Sequence, residues 1–349
     1  MKKHIRLLSS IAAVLVLSAP VVALANTDQD VRRQKLINKS YDVTADDQLV
    51  IDNQFGNVVV STWDKEQITV DIEISARAST DERAQDIMNK IEVRDSRDGH
   101  EIRFKTNVDE IHNANKHNDR NEGDRSFYID YIVHMPTSNR LSIENSFGKT
   151  EIPAFKGLVS LTSKFGSLNT GKLDNLDQID VEFGKAYITS VNNGKIAFKF
   201  DKECRVGTVD GTVKITSEFS QNVQIRLGNA IQDFSLFESY SGVRLVADRD
   251  LSAEFEVHTS FGHFNNESDF DIAEHKEDEG DYGPHFDKDF SGKAGDGKAR
   301  IKIKSSFGTV RLTNNDHGRD SDEDDDRDKE KEKNKGKNKD TDDRTTEQG

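Results

Sequence analysis

One cysteine, Cys204, stands in the whole sequence, which excludes an internal disulfide; a folded chain must then rely on its core or on repetition. Past residue 25 no apolar run approaches the roughly 20 residues needed to span a bilayer, so no integral membrane span is expected. A basic excess is missing as well. With 64 acidic against 49 basic residues and a net charge of −15, the chain would repel phosphates, which argues against nucleic acid as a partner. Motifs of chemistry are equally scarce: there is no D-x-D-x-D-G with a closing Glu, no zinc spacing, and no Ser/Cys–His–Asp constellation.

The two ends read as separate from any fold. Lys2, Lys3 and Arg6 precede a short apolar run from Leu7 to Leu17, and Ala23-Leu24-Ala25 is an A-x-A cleavage site. Residues 1–25 therefore read as a secretory signal peptide, which places the mature chain in the periplasm, outside the cell or on its surface. Residues 26–40 are expected to be a linker. Residues 316–349 carry no aliphatic or aromatic side chain and are expected to be a disordered charged tail.

What is present between them is a repeat. Phe55, Phe147, Phe165, Phe183, Phe200, Phe219, Tyr240, Phe261 and Phe307 each have an aliphatic residue four positions earlier: Ile51, Ile143, Leu161, Ile179, Ile196, Ile215, Leu236, Val257 and Ile303. Two positions earlier the residue is mostly small and polar, and Gly usually follows the ring; Asp201 and Ser220 replace it, and Gly242 comes one residue late. Steps of two are a strand period, and from Phe147 to Phe261 the unit recurs every 17–21 residues. That length suits one coil of a single-stranded β-solenoid, with Gly turning the corner and both aromatics and aliphatics forming interior ladders about 4.8 Å apart. A β-sandwich is the competing architecture, although it does not require one residue type at one step of every unit.

The first unit and the second are separated by an insertion of different character. QITVDIEISA alternates as a strand, and STDERAQDIMNKI reads as a helix with Ser79 and Glu82 as a capping box. IEVRDSRDGHEIRF reads as a hairpin around Asp98-Gly99, and FYIDYIVHMP as a strand ending at Pro136. The expected division is a first rung plus α+β cap insertion over 41–140 and solenoid repeats over 141–315, with a polar loop insertion at 267–298.

The strand–helix–strand block, the proline-ended strand feeding LSIENSFGKTEI, and the aliphatic-x-polar-x-Phe-Gly units together resemble the bacterial "putative adhesin" β-strand-repeat family. The resemblance covers about residues 40–315 outside the two polar insertions. It implies an exported or envelope protein of the kind common in Bacteroidota, and it brings no catalytic residues.

Candidate sites follow from the outward positions. Asp180 and Glu182 share a strand face at a spacing that general acid/base work on a polysaccharide could use. Their column, however, alternates Lys164, Glu182, Lys199 and Glu218, which suits a solvated salt-bridge row. Ser239, Ser260 and Ser306 continue that column as a neutral polar strip suited to an envelope protein or glycan, and Trp63 could stack on a sugar ring. His112 and His117 share one polar loop and His275 and His285 another, without metal-ligand spacing, so no metal or other cofactor is expected. Cys204 falls where Val223 stands in the next unit and reads as a small core residue. The expectation is thus a non-enzymatic envelope-binding or scaffolding protein, with a polysaccharide-active enzyme as the alternative.

Overall fold

The computed structural model describes residues 30–111, 126–275 and 286–314. They are mainly β, in one open sheet that does not close on itself. The expected signal peptide and tail, His112, His117 and His285 lie outside the described residues.

Of the expected linker over 26–40, residues 31–40 form part of a strand instead. β1 (Val31–Asp42) pairs antiparallel along its whole length with β4 (Gln67–Ala78), from Val31 opposite Ala78 to Asp42 opposite Gln67. Its mostly exposed, polar side chains gave no apolar alternation; backbone pairing and polar contacts across it, such as Gln34 Nε2 to Glu73 at 2.6 Å and Asn38 Nδ2 to Asp71 at 2.6 Å, hold it together with Ile37 and Tyr41, which pack against the core. Charged, solvated side chains of this kind suit a sheet edge.

Between β1 and β4 lie β2 (Gln48–Gln54) and β3 (Val58–Trp63), on either side of the first Phe-Gly. The insertion then supplies α1 (Asp81–Asn89), β5 (Glu92–Asp98), β6 (Glu101–Asn107) and β7 (Ser126–Pro136). Ala84, Ile87 and Met88 form the buried face of α1. Its N-cap is Thr80 rather than Ser79: the Thr80 hydroxyl accepts from the Arg83 amide, and the Ser79 hydroxyl accepts from the Arg83 guanidinium. β5 and β6 form the expected hairpin, with Gly99 at φ +55°. β6 pairs in parallel with β2 and β7 with β3, so the insertion extends both faces of the first unit at one end of the sheet.

The middle of the chain comprises β8 (Arg140–Ser146), β9 (Lys149–Ile152), β10 (Phe155–Lys164), β11 (Ser167–Glu182), β12 (Lys185–Lys199), β13 (Glu203–Glu218), β14 (Val223–Ser239) and β15 (Gly242–Ala247). All pair in parallel, unit against unit. Ile51, Ile143, Leu161, Ile179, Ile196, Ile215 and Leu236 stand opposite one another in consecutive strands and are buried. A second buried row runs through Thr150, Leu168, Ala186, Cys204, Val223 and Val243 on the far side of the corner. The offset argument for Cys204 therefore holds, and burial pushes its thiol well above the usual range.

The end of the chain departs from sequential order. β16 (Ala253–Ser260) and β17 (His263–Glu267) are followed by β18 (Asp271–His275) and β19 (Asp287–Ala294), two strands within what reads as a polar loop; β19 pairs antiparallel with both β16 and β18. β20 (Ala299–Ser306) and β21 (Thr309–Thr313) then insert behind them. β20 pairs with β14 on one side and β16 on the other; β21 lies between β15 and β17. The chain leaves a one-strand gap and returns to fill it.

The second correction concerns the rings. All nine aromatics sit at φ between +52° and +61°, and except for Phe55 each is 45–51% exposed. Those eight are turned out of the core, because a left-handed residue breaks the two-residue alternation and sends its side chain to the opposite side; Phe55 is partly buried against the core and Phe127. The interior positions are the aliphatics four earlier and the residues two earlier, Asn145, Ser163, Val181, Phe198, Ser217, Glu238, Ser305 and Thr259, all buried. The following glycines serve space rather than φ. A Cβ on Gly148 would collide with the carbonyl oxygen of Gly56, and one on Gly166 with that of Gly148.

Candidate functional site

At nine successive corners the rings form a ladder, eight of them turned outward. In spatial order it runs Phe55, Phe147, Phe165, Phe183, Phe200, Phe219, Tyr240, Phe307, Phe261, with neighbouring centroids 4.7–5.2 Å apart and planes within 1–6° of parallel. Phe286 continues it at one end, at 4.5 Å and 15°, while Phe127 closes the other, at 5.1 Å and 57°. Each inner ring is covered on its faces by its neighbours and presents an edge to solvent. A bulky residue in the left-handed region costs on the order of 1–2 kcal/mol, and an aromatic pair returns about 0.5–1.5 kcal/mol beyond its burial. Stacking thus offsets the strain at each rung.

Where Gly is missing, side chains tie the corners together. Asp201 accepts from the Gly184 amide at 2.7 Å and the Lys199 amide at 3.0 Å; the Asp201 amide donates to Ser220 Oγ at 3.1 Å; and the Ser220 amide donates to Ser241 Oγ at 3.0 Å. The Ser241 amide donates to Glu238 Oε1 at 2.6 Å, and Ser305 Oγ donates to Glu238 Oε2. Burial raises the Asp201 carboxyl above its ordinary range against the pull of the two amides, and burial raises Glu238 in the same way against Ser305 and Ser241. The hydroxyls of Ser163, Ser217 and Thr259, at the equivalent inward step, are buried without a hydrogen-bond partner.

Immediately before each ring stands the outward column. Its order in space is Gln54, Ser146, Lys164, Glu182, Lys199, Glu218, Ser239, Ser306, Ser260, each opposite the next across a strand pair. The three serines named from sequence are therefore brought together at about one strand spacing, with Ser306 between the other two. Lys199 approaches Glu218 at 3.9 Å, and Lys164 turns instead to Glu144 at 3.3 Å. Asp180 lies on the same face; burial raises its carboxyl, opposed by Lys199 and Lys164.

Trp63 is not part of this site. It ends β3 opposite Pro136, donates its indole N–H to the Gln67 carbonyl at 2.7 Å, stacks on His134 at 5.3 Å and carries the Lys65 ammonium 4.5 Å from its ring centre. These contacts engage part of its ring, which is half-buried. Among the described residues no three His, Cys, Asp or Glu side chains converge to hold a metal, and no helix is long and apolar enough to cross a membrane. His275 reaches Ser291 Oγ at 2.6 Å.

The exposed ladder was missed from sequence, although Tyr240 carried the signal. A phenol at a step read as interior would need a buried partner for its hydroxyl, and nothing in the repeat supplies one.

No family model and no curated protein matches the chain. Solved structures do. A "putative cell adhesion protein" from Clostridium sporogenes is 12% identical, with a TM-score of 0.24 over 80% of this chain and 99% of that one. A "putative adhesin" from Bacteroides fragilis is also 12% identical, with a TM-score of 0.38 over 80% and 97%. A "putative lipid binding protein" from Parabacteroides distasonis is 8% identical, with a TM-score of 0.32 over 79% and 96%. Superpositions this loose carry no inference about ligand or activity.

Proposed function

We propose that the chain is a non-enzymatic binding and scaffolding module of the cell envelope, built as a β-solenoid with one coil per Phe-Gly unit. The observation that carries this reading is the outward column, in which consecutive units set one polar side chain beside the next into a single continuous strip. Parallel pairing on both sides of the ring corner supports the solenoid form, and the position of β6 and β7 beside the first unit supports a cap over residues 41–140. Repeats over 141–315 then present Ser239, Ser306 and Ser260 as the neutral end of the strip. Such a surface recognises an envelope protein or glycan through many modest hydrogen bonds rather than one deep pocket.

Asp180 and Glu182 lie two apart on one face of β11, and burial raises the Asp180 carboxyl, which favours a second reading with Asp180 as general acid and Glu182 its partner in a polysaccharide-active enzyme. A pull-down of the mature chain against isolated envelope fractions, run beside a reducing-sugar assay on a polysaccharide panel, separates the two. The module reading expects capture without sugar release, weakened by Ser260→Arg with Ser306→Arg at an unchanged melting temperature. Sugar release abolished by Asp180→Asn would replace it with the enzyme.

A further inference from the structure

We propose that the aromatic ladder is a self-association surface, and that its occupant is a second copy of this chain lying antiparallel to the first. Eight of the rings are each 45–51% exposed in one unbroken strip; at ~200 Å² per aromatic side chain they leave roughly 800 Å² of apolar surface. That exceeds the largest apolar patch of an ordinary monomer, about 300–600 Å², and matches the about 800 Å² that each partner contributes to a standard interface.

The occupant is identified by period and by charge. The rings repeat at 4.7–5.2 Å over the whole ladder, so only a surface with the same repeat meets them ring for ring, and another copy has it. A sugar stacks on ring faces, and here the inner faces are covered by neighbouring rings. A lipid surface would have to strip water from the four charges of Lys164, Glu182, Lys199 and Glu218 beside the rings, with no partner of opposite sign for each, on a chain of net charge −15.

The flanking column is self-complementary. A two-fold axis between the Glu182 and Lys199 rungs sets Glu182 opposite Lys199 and Lys164 opposite Glu218 of the second copy, each twice over, as an isologous interface requires. Further out, Ser146 meets Ser239 and Gln54 meets Ser306, with no like charges opposed. Phe183 meets Phe200 at the centre.

The inference does not rest on envelope binding. Pairing covers Ser239 and Ser306, so the two events compete for one strip, yet they are measured separately. A chain that pairs and captures nothing refutes the envelope reading alone; one that captures without pairing refutes this one.

Sedimentation equilibrium of the full mature chain tests it. The wild type should be a concentration-dependent dimer. Phe183→Asn with Phe200→Asn, both at φ values that Asn tolerates, should raise the dimer dissociation constant roughly a hundredfold while the monomer still melts cooperatively. Glu182→Lys should weaken pairing by about tenfold, and Glu182→Lys with Lys199→Glu should restore it, because the exchanged row is again self-complementary. A wild type that stays monomeric at every concentration, or a dimer indifferent to both the ring and the charge variants, overturns the proposal. So does a monomer whose rings are needed to bind phosphatidylcholine vesicles or an insoluble glycan.

Discussion

Ser305 and Glu238, 67 residues apart in sequence, are hydrogen-bonded in the core, with the Ser305 hydroxyl donating to a carboxylate that also accepts from the Ser241 amide at 2.6 Å. This contact fastens the inserted strand β20 to β14. Glu238 has one backbone donor and one rotatable hydroxyl, so Glu238→Gln can keep both bonds by turning Ser305. Asp201 accepts from two backbone amides, and Asp201→Asn must point its own N–H at one of them. Urea melts at neutral pH should find Glu238→Gln neutral or stabilising and Asp201→Asn destabilising by about 1–3 kcal/mol. Equal losses in both would refute the assigned bonding.

The pH dependence follows from the raised carboxyls. A native group that holds its proton where the unfolded one has lost it binds more protons in the folded state, so stability falls as pH rises through that interval. Asp201 and Glu238 are raised by burial. The window therefore opens at the ordinary carboxylate value and closes at the raised one. Across it the advantage of Glu238→Gln over wild type should grow with increasing pH and then level off. An advantage that shrinks with increasing pH would show that the native group is depressed instead.

Gly166 and Gly242 should differ sharply in their response to Ala. A Cβ on Gly166 falls on the carbonyl oxygen of Gly148, whereas one on Gly242 meets nothing within 4 Å. Gly166→Ala should cost several kcal/mol through displaced backbone, and Gly242→Ala should stay within about 0.5 kcal/mol. Thermal melts of the two variants decide it.

Ser217→Ala should stabilise. The Ser217 hydroxyl is buried without a partner, and Val181 and Phe198 fill the same step two units and one unit away. Removing an unsatisfied hydroxyl is worth about 1 kcal/mol. A loss of that size in a urea melt would mean that the hydroxyl has a partner, such as ordered water.

Ile179→Asp sets a carboxylate in the buried row and should cost several kcal/mol, whereas Glu182→Gln, on the outward column, should stay within about 1 kcal/mol. Urea melts giving equal losses would contradict the register.

Much of this register was legible because it rests on composition at fixed steps. The aliphatic row from Ile143 to Leu236 pairs as the spacing requires, and Cys204 aligns with Val223. Three features were not legible, each for a physical reason. The rings were assigned inward because alternation carries through only while φ is negative, and a left-handed Phe is too rare to expect from sequence. β1 was hidden because only Ile37 and Tyr41 of this edge strand pack on the core, too few to show an apolar period. The place of β20 between β14 and β16 was hidden because local pattern specifies which residues pair, not which neighbour they choose. Of the candidate site, the serine strip was legible in the column and the aromatic ridge was not.

The late return of β20 and β21 changes how the chain resists force. In a stack laid down in order, tension on the last turn peels one interface, rung by rung, from an open end. Here β20 and β21 are wedged between earlier strands, and a pull applied at residue 314 is expected to shear them free of both neighbours at once. That placement would let β20 and β21 act as a latch. In an optical-trap extension from that end, the first rupture is expected to be the largest, with the remaining turns following at lower force.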